Sequence, residues 1–186
     1  MSYEEIKKLA EHWHKLHTDG KYEEVNKYYY DNIFDIVTER FIEKFSHHRE
    51  NELLISLLGF SPEPIILTQK ALQPEDHYIL TTPNNQSSDI LNKYIDNYIE
   101  KKFPLDNDFN ILYNTFHEII IDHPSRNITI DITGGKKSMV SVASIFAREF
   151  GAHLVYVDFD EYLRDMRRPS PGTEKLITAY RPQFLR

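Results

Sequence analysis

The residues of this chain best suited to chemistry lie in the run 131–139, which reads DITGGKKSM. Two glycines allow another backbone to approach closely, and the helix predicted to follow begins with N–H groups that lack intrahelical acceptors. Lys136 and Lys137 add two cations to the same turn, while Thr133 and Ser138 add hydroxyl groups. A helix N-terminus with adjacent cations favours an anion, most simply a phosphate group.

Two familiar phosphate-binding motifs are absent from the sequence. The run lacks the G-x-x-x-x-G-K-[ST] spacing of a P-loop, and no G-x-G-x-x-G follows a predicted strand. An ordinary strand-to-helix turn with a solvated basic tip is the alternative interpretation. The spacing therefore indicates phosphate or nucleotide binding without specifying the nucleotide.

Alternating strands and helices are predicted to position this turn. Strands are predicted at 53–58, 77–82, 103–105, 127–132, 153–159 and 173–180. The predicted helices between them run over 62–72, from Ser87 or Ser88 to 101, from Asp106 or Asp108 to about 123, and over 136–150. This order predicts an α/β fold with a Rossmann-like parallel sheet and helices on both faces.

The first fifty residues have a different pattern. Apolar residues at helical spacing predict one helix up to Gly20 and a second from Tyr22 to about Phe45. The chain is therefore predicted to have two parts, an N-terminal α-helical hairpin over 1–50 and the Rossmann-like domain over 51–186.

Ligands of open parallel sheets bind beyond the carboxyl ends of the strands. Besides the turn after 127–132, two further strand ends carry polar or aromatic residues. These are 59–64 (GFSPEP) after the first predicted strand and 81–84 (TTPN) after the second.

Composition excludes several functional classes. The 186 residues include 22 basic and 29 acidic side chains, a net charge of −7, which argues against a broad surface for long nucleic acid but leaves room for a small basic pocket. The absence of cysteine excludes disulfides, thiolate nucleophiles and Cys-ligated zinc. The apolar runs fall short of the ~20 residues of a membrane span, and the acidic N-terminus is unlike a signal peptide. A cytoplasmic protein with no membrane partner is predicted.

The run 131–139 resembles the D-x-T-G-G-T-K-x-M signature of CARF domains, the CRISPR-associated Rossmann fold. The run 54–64 (LISLLGFSPEP) resembles the first strand and ligand loop of that family, and the element order from about 52 to 180 is similar to it. One position departs from the signature, since Lys136 replaces the usual threonine. The additional cation would tighten phosphate binding or alter turnover.

The resemblance implies a homodimeric sensor of cyclic oligoadenylate, with four or six adenylates, in type III CRISPR antiviral defence. Such a sensor regulates an attached or recruited effector. The alternative is a metal-independent ring nuclease that opens the ring to linear products with a 2′,3′-cyclic phosphate. Neither function needs a cofactor or a metal, and the sequence leaves open both the ring size and the choice between sensor and enzyme. It also leaves open whether the chain is one module of a longer protein.

Matched to this sequence, the resemblance implies ligand contacts from three strand ends. The first loop supplies Gly59, Phe60, Ser61 and Glu63, and position alone adds Thr81, Thr82 and Asn84. The third group is Thr133, Gly134, Gly135, Lys136, Lys137, Ser138 and Met139. In a ring nuclease, Lys136 and Lys137 would stabilise the phosphorane, and Ser61 or Ser138 would orient a ribose or phosphate oxygen.

Other residues with chemical potential are interpreted as structural. The nine histidines show no metal-ligand spacing, which favours a solvated helix surface. Arg40 and His47 match the R-x6-H motif of HEPN ribonucleases, but two helices do not provide the helical bundle such a domain needs. Asp158 and Asp160 are interpreted as a solvated strand end, and no Ser–His–acid arrangement is recognisable from spacing.

Overall fold

A computed structural model of the chain describes residues 3–46, 52–83, 87–102, 109–123 and 127–182. The chain divides into two compact units. The helical unit comprises 1–47 and 158–175, and the sheet unit comprises 48–157 and 176–186. None of the helices in the described ranges is both long and apolar enough to cross a membrane.

The helical unit contains three helices, α1 (Tyr3–Thr18), α2 (Tyr22–Asn32) and α3 (Phe34–Phe45). Gly20, with a φ of +76°, lies in the turn after α1, as its position in the sequence predicted. Trp13 is fully buried, and its indole N–H donates a hydrogen bond to the Val25 carbonyl 3.1 Å away, which joins α1 to α2. The predicted single helix over 22–45 is wrong, because the helix is interrupted at Ile33, a fully buried residue between α2 and α3.

The segment 158–175 folds against these helices rather than forming an isolated loop. It contains a small antiparallel hairpin of β6 and β7, whose bounds are Tyr162–Leu163 and Arg168–Pro169. The Arg168 guanidinium donates to the Asn26 side chain at 2.7 Å and lies 5.9 Å from the centre of the Trp13 ring. One arginine thereby links this hairpin to both α1 and α2.

The sheet unit is built on six strands in the order β3-β2-β1-β4-β5-β8. Their bounds are Leu53–Leu57 (β1), Asp76–Thr81 (β2), Ile99–Lys102 (β3), Ile128–Asp131 (β4), His153–Phe159 (β5) and Glu174–Tyr180 (β8). The helices are Glu63–Leu72 (α4), Ser88–Tyr94 (α5), Phe109–Ile121 (α6) and Lys137–Phe150 (α7). β1 pairs in parallel with β2 and β4, β2 with β3, and β4 with β5. The predicted Rossmann-like α/β fold is confirmed.

Both faces of the central strand β1 are buried, as its continuous apolar sequence predicts. On one face, Leu53, Ile55 and Leu57 belong to the core that also contains Phe116 of α6 and Phe146 of α7. Because side chains alternate along a strand, the remaining residues of β1 face the opposite side. The packing on both faces of β1 therefore stabilises the centre of the sheet. The candidate turn follows β4, the strand next to β1.

Two predicted elements differ in the structure. The helix predicted to reach residue 101 ends at Tyr94, because Ile95 adopts an extended backbone conformation and 99–102 forms β3. This strand is exposed along its whole length and carries Lys and Glu side chains, as expected at a sheet edge. The strand predicted at 103–105 and the caps predicted at Asp106 or Asp108 lie outside the described residues.

Candidate functional site

The carboxyl ends of β2, β1 and β4 lie side by side at one edge of the sheet. Register fixes this arrangement, since Leu57 pairs with Leu80 on one side of β1 and Ser56 pairs with Asp131 on the other. The loop from β1 to α4 and the turn from β4 to α7 therefore leave the sheet as neighbours. This is the edge where ligands of open α/β sheets bind.

The loop and the turn meet at two glycines. A Cβ atom on Gly59 would lie 2.1 Å from the Gly134 carbonyl oxygen, and a Cβ on Gly134 would lie 2.4 Å from the Leu57 carbonyl oxygen. Backbone atoms cannot move away as a flexible side chain can, so only glycine fits at either position. Two strand ends that are distant in the sequence are thus brought into direct contact.

The carboxylate of Asp131 fixes the turn after β4. The sequence analysis did not include this residue among the candidate site residues. Asp131 is 0% exposed, and its Oδ1 accepts hydrogen bonds from the Thr133 backbone N–H at 2.9 Å and the Thr133 hydroxyl at 2.5 Å. The Thr133 hydroxyl also accepts from the Val157 N–H of β5 at 2.8 Å. An aspartate two residues before a hydroxyl residue at a strand end is a turn signal that the sequence already contained.

Burial raises the pKa of Asp131, and hydrogen bonds from Thr133 oppose that rise. The Thr68 side chain of α4 also acts against this rise in pKa. Within the described residues, the second oxygen of Asp131, Oδ2, has no hydrogen-bond partner. Asp131 therefore fixes the turn from inside the protein and is not accessible to a ligand.

Helix α7 begins at Lys137, with Lys136 at the N-cap position. Ser, Thr, Asp or Asn normally accepts a backbone hydrogen bond there, but an ammonium group cannot accept one. The Lys136 N–H donates to the Met139 sulfur at 3.4 Å, so Met139 supports the turn from the core. Both lysine side chains are exposed. The positive end of the helix and two cations thus share one surface, which suits a phosphate.

The other predicted site residues differ in their exposure. Phe60 and Ser61 are exposed on the loop after β1, whereas Glu63 is half-buried at the start of α4. Gly135 is half-buried, and a Cβ there would lie 2.8 Å from the Leu57 Cδ1 atom. Ser138, in the first turn of α7, is half-buried as well.

At the carboxyl end of β2, the structure describes two of the three predicted site residues, Thr81 and Thr82. The Thr81 side chain is fully buried, and its hydroxyl donates to the Thr82 carbonyl at 3.3 Å. Thr82 is half-buried, and Asn84 lies outside the described residues.

Ser56 of β1, which pairs with Asp131 in the sheet, forms a buried pair with His77 of β2. No spacing in the sequence indicated this pair. The Ser56 Oγ and the His77 Nε2 are 2.9 Å apart, and burial lowers the pKa of His77 to about 3, so this histidine is neutral at pH 7. Asp131 bonds to Thr133 and not to His77, and the Ser56, His77 and Asp131 side chains are all buried. The arrangement is a polar contact of the core, not a catalytic triad.

Two of the residues interpreted as structural from the sequence, Arg40 and Asp160, have local partners. The Arg40 guanidinium lies 5.1 Å from the centre of the Tyr3 ring, and His47 is outside the described residues. Asp160 forms an ion pair with Lys175. No group of three or more His, Cys, Asp or Glu side chains in the described ranges is arranged to hold a metal ion.

The sequence is similar to that of a curated protein. It is the CRISPR system endoribonuclease Csm6 of Thermus thermophilus, which is 30% identical over 130 residues. The match covers 66% of this chain but only 28% of that protein, so the chain spans little more than a quarter of its relative. No family model matches the sequence.

Several solved structures share the fold, and two of them were solved with a bound cyclic oligonucleotide. Can2 from Sulfobacillus thermosulfidooxidans, in complex with cyclic tetra-adenylate, superposes with a TM-score of 0.51 at 21% identity, over 66% of this chain and 33% of that one. Csm6 of Enterococcus italicus, bound to cyclic hexa-2′-fluoro-hexa-dAMP, superposes with a TM-score of 0.50 at 16% identity, over 62% of this chain and 35% of that one.

Proposed function

We propose that the chain is a CARF-domain protein of type III CRISPR signalling and that it binds cyclic oligoadenylate at the carboxyl ends of β1, β2 and β4, a proposal supported by its similarity to Csm6 and Can2. The observation that carries this proposal is the backbone contact between Gly59 and Gly134, which joins the loop after β1 to the Gly-Gly-Lys-Lys turn. The two structural relatives carry a cyclic tetra-adenylate and a cyclic hexanucleotide.

The electrostatics of this edge match a compact polyanion. Lys136 and Lys137 are exposed beside the N-terminus of α7, although the chain as a whole carries a net charge of −7. A localised basic site on an acidic protein favours a small phosphate ring over a long nucleic acid, whose binding needs an extended basic surface. Ring phosphates would contact the two ammonium groups and the first N–H groups of α7.

The proposed signalling unit is a homodimer. A ring of four or six identical nucleotides can have a twofold axis, so two copies of the chain can present the same loop and turn to its two halves. Binding one ring between two copies would stabilise the dimer by mass action. In this role the protein is a sensor whose ligand regulates an attached or recruited effector.

The sensor proposal is tested by calorimetry with cyclic tetra-adenylate and cyclic hexa-adenylate, in parallel with light scattering of the free and bound protein. We expect one ring to bind per two chains and to be recovered intact. Binding of one ring per chain would contradict the dimer, and binding of neither ring would contradict the proposed function. Linear tetra-adenylate serves as the matched ligand control.

A second candidate function, ring nuclease, is favoured by the exposure of Ser61, Lys136 and Lys137 at the same edge. In this reaction a ribose 2′-OH attacks the adjacent phosphorus, the bond from phosphorus to O5′ breaks, and the proton lost from the 2′-OH is recovered by the leaving O5′. The products are linear strands that end in a 2′,3′-cyclic phosphate. The lysines would stabilise the phosphorane charge, and Ser61 would orient an oxygen.

The nuclease alternative is tested by incubating the protein with each ring in EDTA and identifying the products by mass spectrometry. Linear products with a 2′,3′-cyclic phosphate that disappear in Lys136→Ala and Lys137→Ala would support the enzyme. The matched control is Lys8→Ala, an exposed lysine of α1 in the helical unit. Cleavage that persists in both site variants at the wild-type rate would exclude these lysines from catalysis.

A further inference from the structure

Phe60 is exposed to a degree unusual for an aromatic side chain. Its relative exposure is 101%, whereas the next most exposed large hydrophobic side chain among the described residues, Tyr22, reaches 65%. Burying a phenylalanine ring typically contributes about 1.5–3 kcal/mol to stability, so the fold gains none of this from Phe60. The ring contributes to no core in the protein, and a role outside folding is indicated.

The backbone on both sides of Phe60 is held in place. Gly59, immediately before it, abuts Gly134, and the Leu58 N–H donates to the Leu80 carbonyl at 2.9 Å. Pro62, two residues after it, is buried and begins α4 as its N-cap. The loop is thus short and anchored at each end, which fixes where the exposed ring can go: beyond the strand ends, on the edge that carries the Gly-Gly-Lys-Lys turn.

The size of the apolar surface indicates what covers the ring. Protein docking sites are contiguous apolar patches of a few hundred Å², but the residues that precede and follow Phe60 in the sequence, Gly59 and Ser61, add no large apolar side chain. A single ring matches one nucleobase. Every base has a π face, and stacking on an aromatic side chain is a common way for proteins to hold unpaired bases.

We propose that Phe60 stacks on an adenine base of the bound ring and supplies the base-recognition half of a site whose phosphate half is the turn at 134–137. This inference rests on the proposed function, which concerns the phosphates and the place of the site; it adds a contact to the base. Recognition by stacking predicts that affinity depends on the π face at position 60 and not on its apolar character alone.

Four variants at position 60 separate these properties: Phe60→Ala, Phe60→Leu, Phe60→Tyr and Phe60→Trp. By calorimetry with the cyclic oligoadenylate that the wild type binds, Phe60→Ala and Phe60→Leu should lose about 5- to 150-fold in affinity, the range for one base stack. Phe60→Tyr and Phe60→Trp should remain within about threefold of wild type, since both retain an aromatic face. In Phe60→Trp, the fluorescence of the new indole should be quenched on ring binding. The buried Trp13 of the wild type provides the fluorescence control.

The outcomes distinguish failure of this inference from failure of the proposed function. If the wild type binds a ring and Phe60→Ala binds it equally well, stacking is excluded while the proposed function stands. If Phe60→Leu retains full affinity, an apolar contact replaces the stack and the inference is overturned. If Phe60→Ala changes the oligomeric state of the ligand-free protein in light scattering, the ring is a contact between subunits and the inference is overturned as well. If the wild type binds neither ring, the proposed function fails and the stacking contact fails with it.

Discussion

Asp131 accepts the hydrogen bonds that hold the turn after β4, but its burial disfavours the ionised carboxylate. Its Oδ1 holds the N–H and the hydroxyl of Thr133, but the carboxyl group is fully buried, and burial raises its pKa. A group whose pKa is raised on folding stabilises the native state below its unfolded pKa and loses that contribution as the pH rises through its folded pKa. The aspartate thus fixes the turn through its oxygen, while its ionisation at higher pH opposes folding.

Substitution at Asp131 separates the two effects. Asp131→Asn keeps an oxygen that can accept both Thr133 bonds and removes the charge, so we expect stability at pH 8 equal to or above that of the wild type. Asp131→Ala removes both bonds and should lower the free energy of unfolding by about 1–3 kcal/mol. Urea unfolding at pH 8 measures both values. Equal losses in the two variants would contradict a positioning role for the oxygen.

Lys137 is the first residue of α7 and the side chain most directly linked to the proposed phosphate contact. Lys137→Ala should weaken ring binding by about 1.5–3 kcal/mol, the range for a hydrogen bond to a charged group. Calorimetry measures this loss, with Lys8→Ala as the charge-matched control. Unchanged affinity of Lys137→Ala would remove this residue from the site.

At the scale of elements, the candidate site depends on two connections that meet through their backbones. The loop after β1 and the turn after β4 approach so closely that neither Gly59 nor Gly134 has room for a Cβ atom. At Gly135 the nearest atom belongs instead to the Leu57 side chain, which can adopt another rotamer. The adjacent glycines of one turn thus have different steric requirements.

The pair Gly134→Ala and Gly135→Ala tests this difference. We expect Gly134→Ala to destabilise the sheet unit by about 2 kcal/mol or more, because the new methyl group meets the Leu57 carbonyl. Gly135→Ala should cost less than about 1.5 kcal/mol, since a side chain can move. Thermal unfolding compares them. A larger loss for Gly135→Ala would show that the backbone contact does not control the turn.

At the scale of the whole molecule, burial shifts the pKa values of two ionisable groups, Glu174 and His77, in opposite directions. In the helical unit, burial raises the pKa of Glu174 from 4.5 to about 7, although Gly172, Lys44 and Arg40 act against the rise. In the sheet unit, burial lowers the pKa of His77 from 6.5 to about 3. The Glu174 contribution to stability is present below pH 4.5 and lost as the pH rises through 7. The His77 contribution is present above pH 6.5 and lost as the pH falls towards 3.

Glu174→Gln is therefore expected to change the pH profile of unfolding. The amide of this variant retains an oxygen for the Gly172 N–H, which donates to the Glu174 Oε2 at 2.7 Å in the wild type. Between about pH 5 and 8 the wild type should lose stability relative to this variant by up to about 3 kcal/mol, at about 1.4 kcal/mol for each unit of pKa shift. Urea unfolding at several pH values measures the difference. Parallel profiles would show that the Glu174 pKa is the same in the folded and unfolded states.

Local patterns in the sequence determined most elements of this protein. The continuous apolar run of β1, the alternation of strands and helices, and the glycines and lysines before α7 act over a few residues, so their structural meaning is readable without the fold. The turn at 134–137 could therefore be identified as a candidate phosphate site, and the Rossmann-like class could be predicted. The interruption at Ile33 and the strand at 99–102 could not be predicted in this way. Burial of Ile33 and pairing of 99–102 at the sheet edge prevailed over the helical pattern of the sequence.

Only the tertiary structure decided which distant residues meet. Gly59 reaches Gly134, and Ser56 of β1 contacts His77 of β2, because β1 is central and pairs with both β2 and β4. The same holds for Arg168, which returns to Asn26 of α2. Such contacts depend on the order of strands in the sheet and on segments that meet although tens of residues separate them in the sequence. The spacing of neighbouring residues contains no information about either. The sequence thus determined the chemistry of the turn, and the fold determined the loop that completes the site beside it.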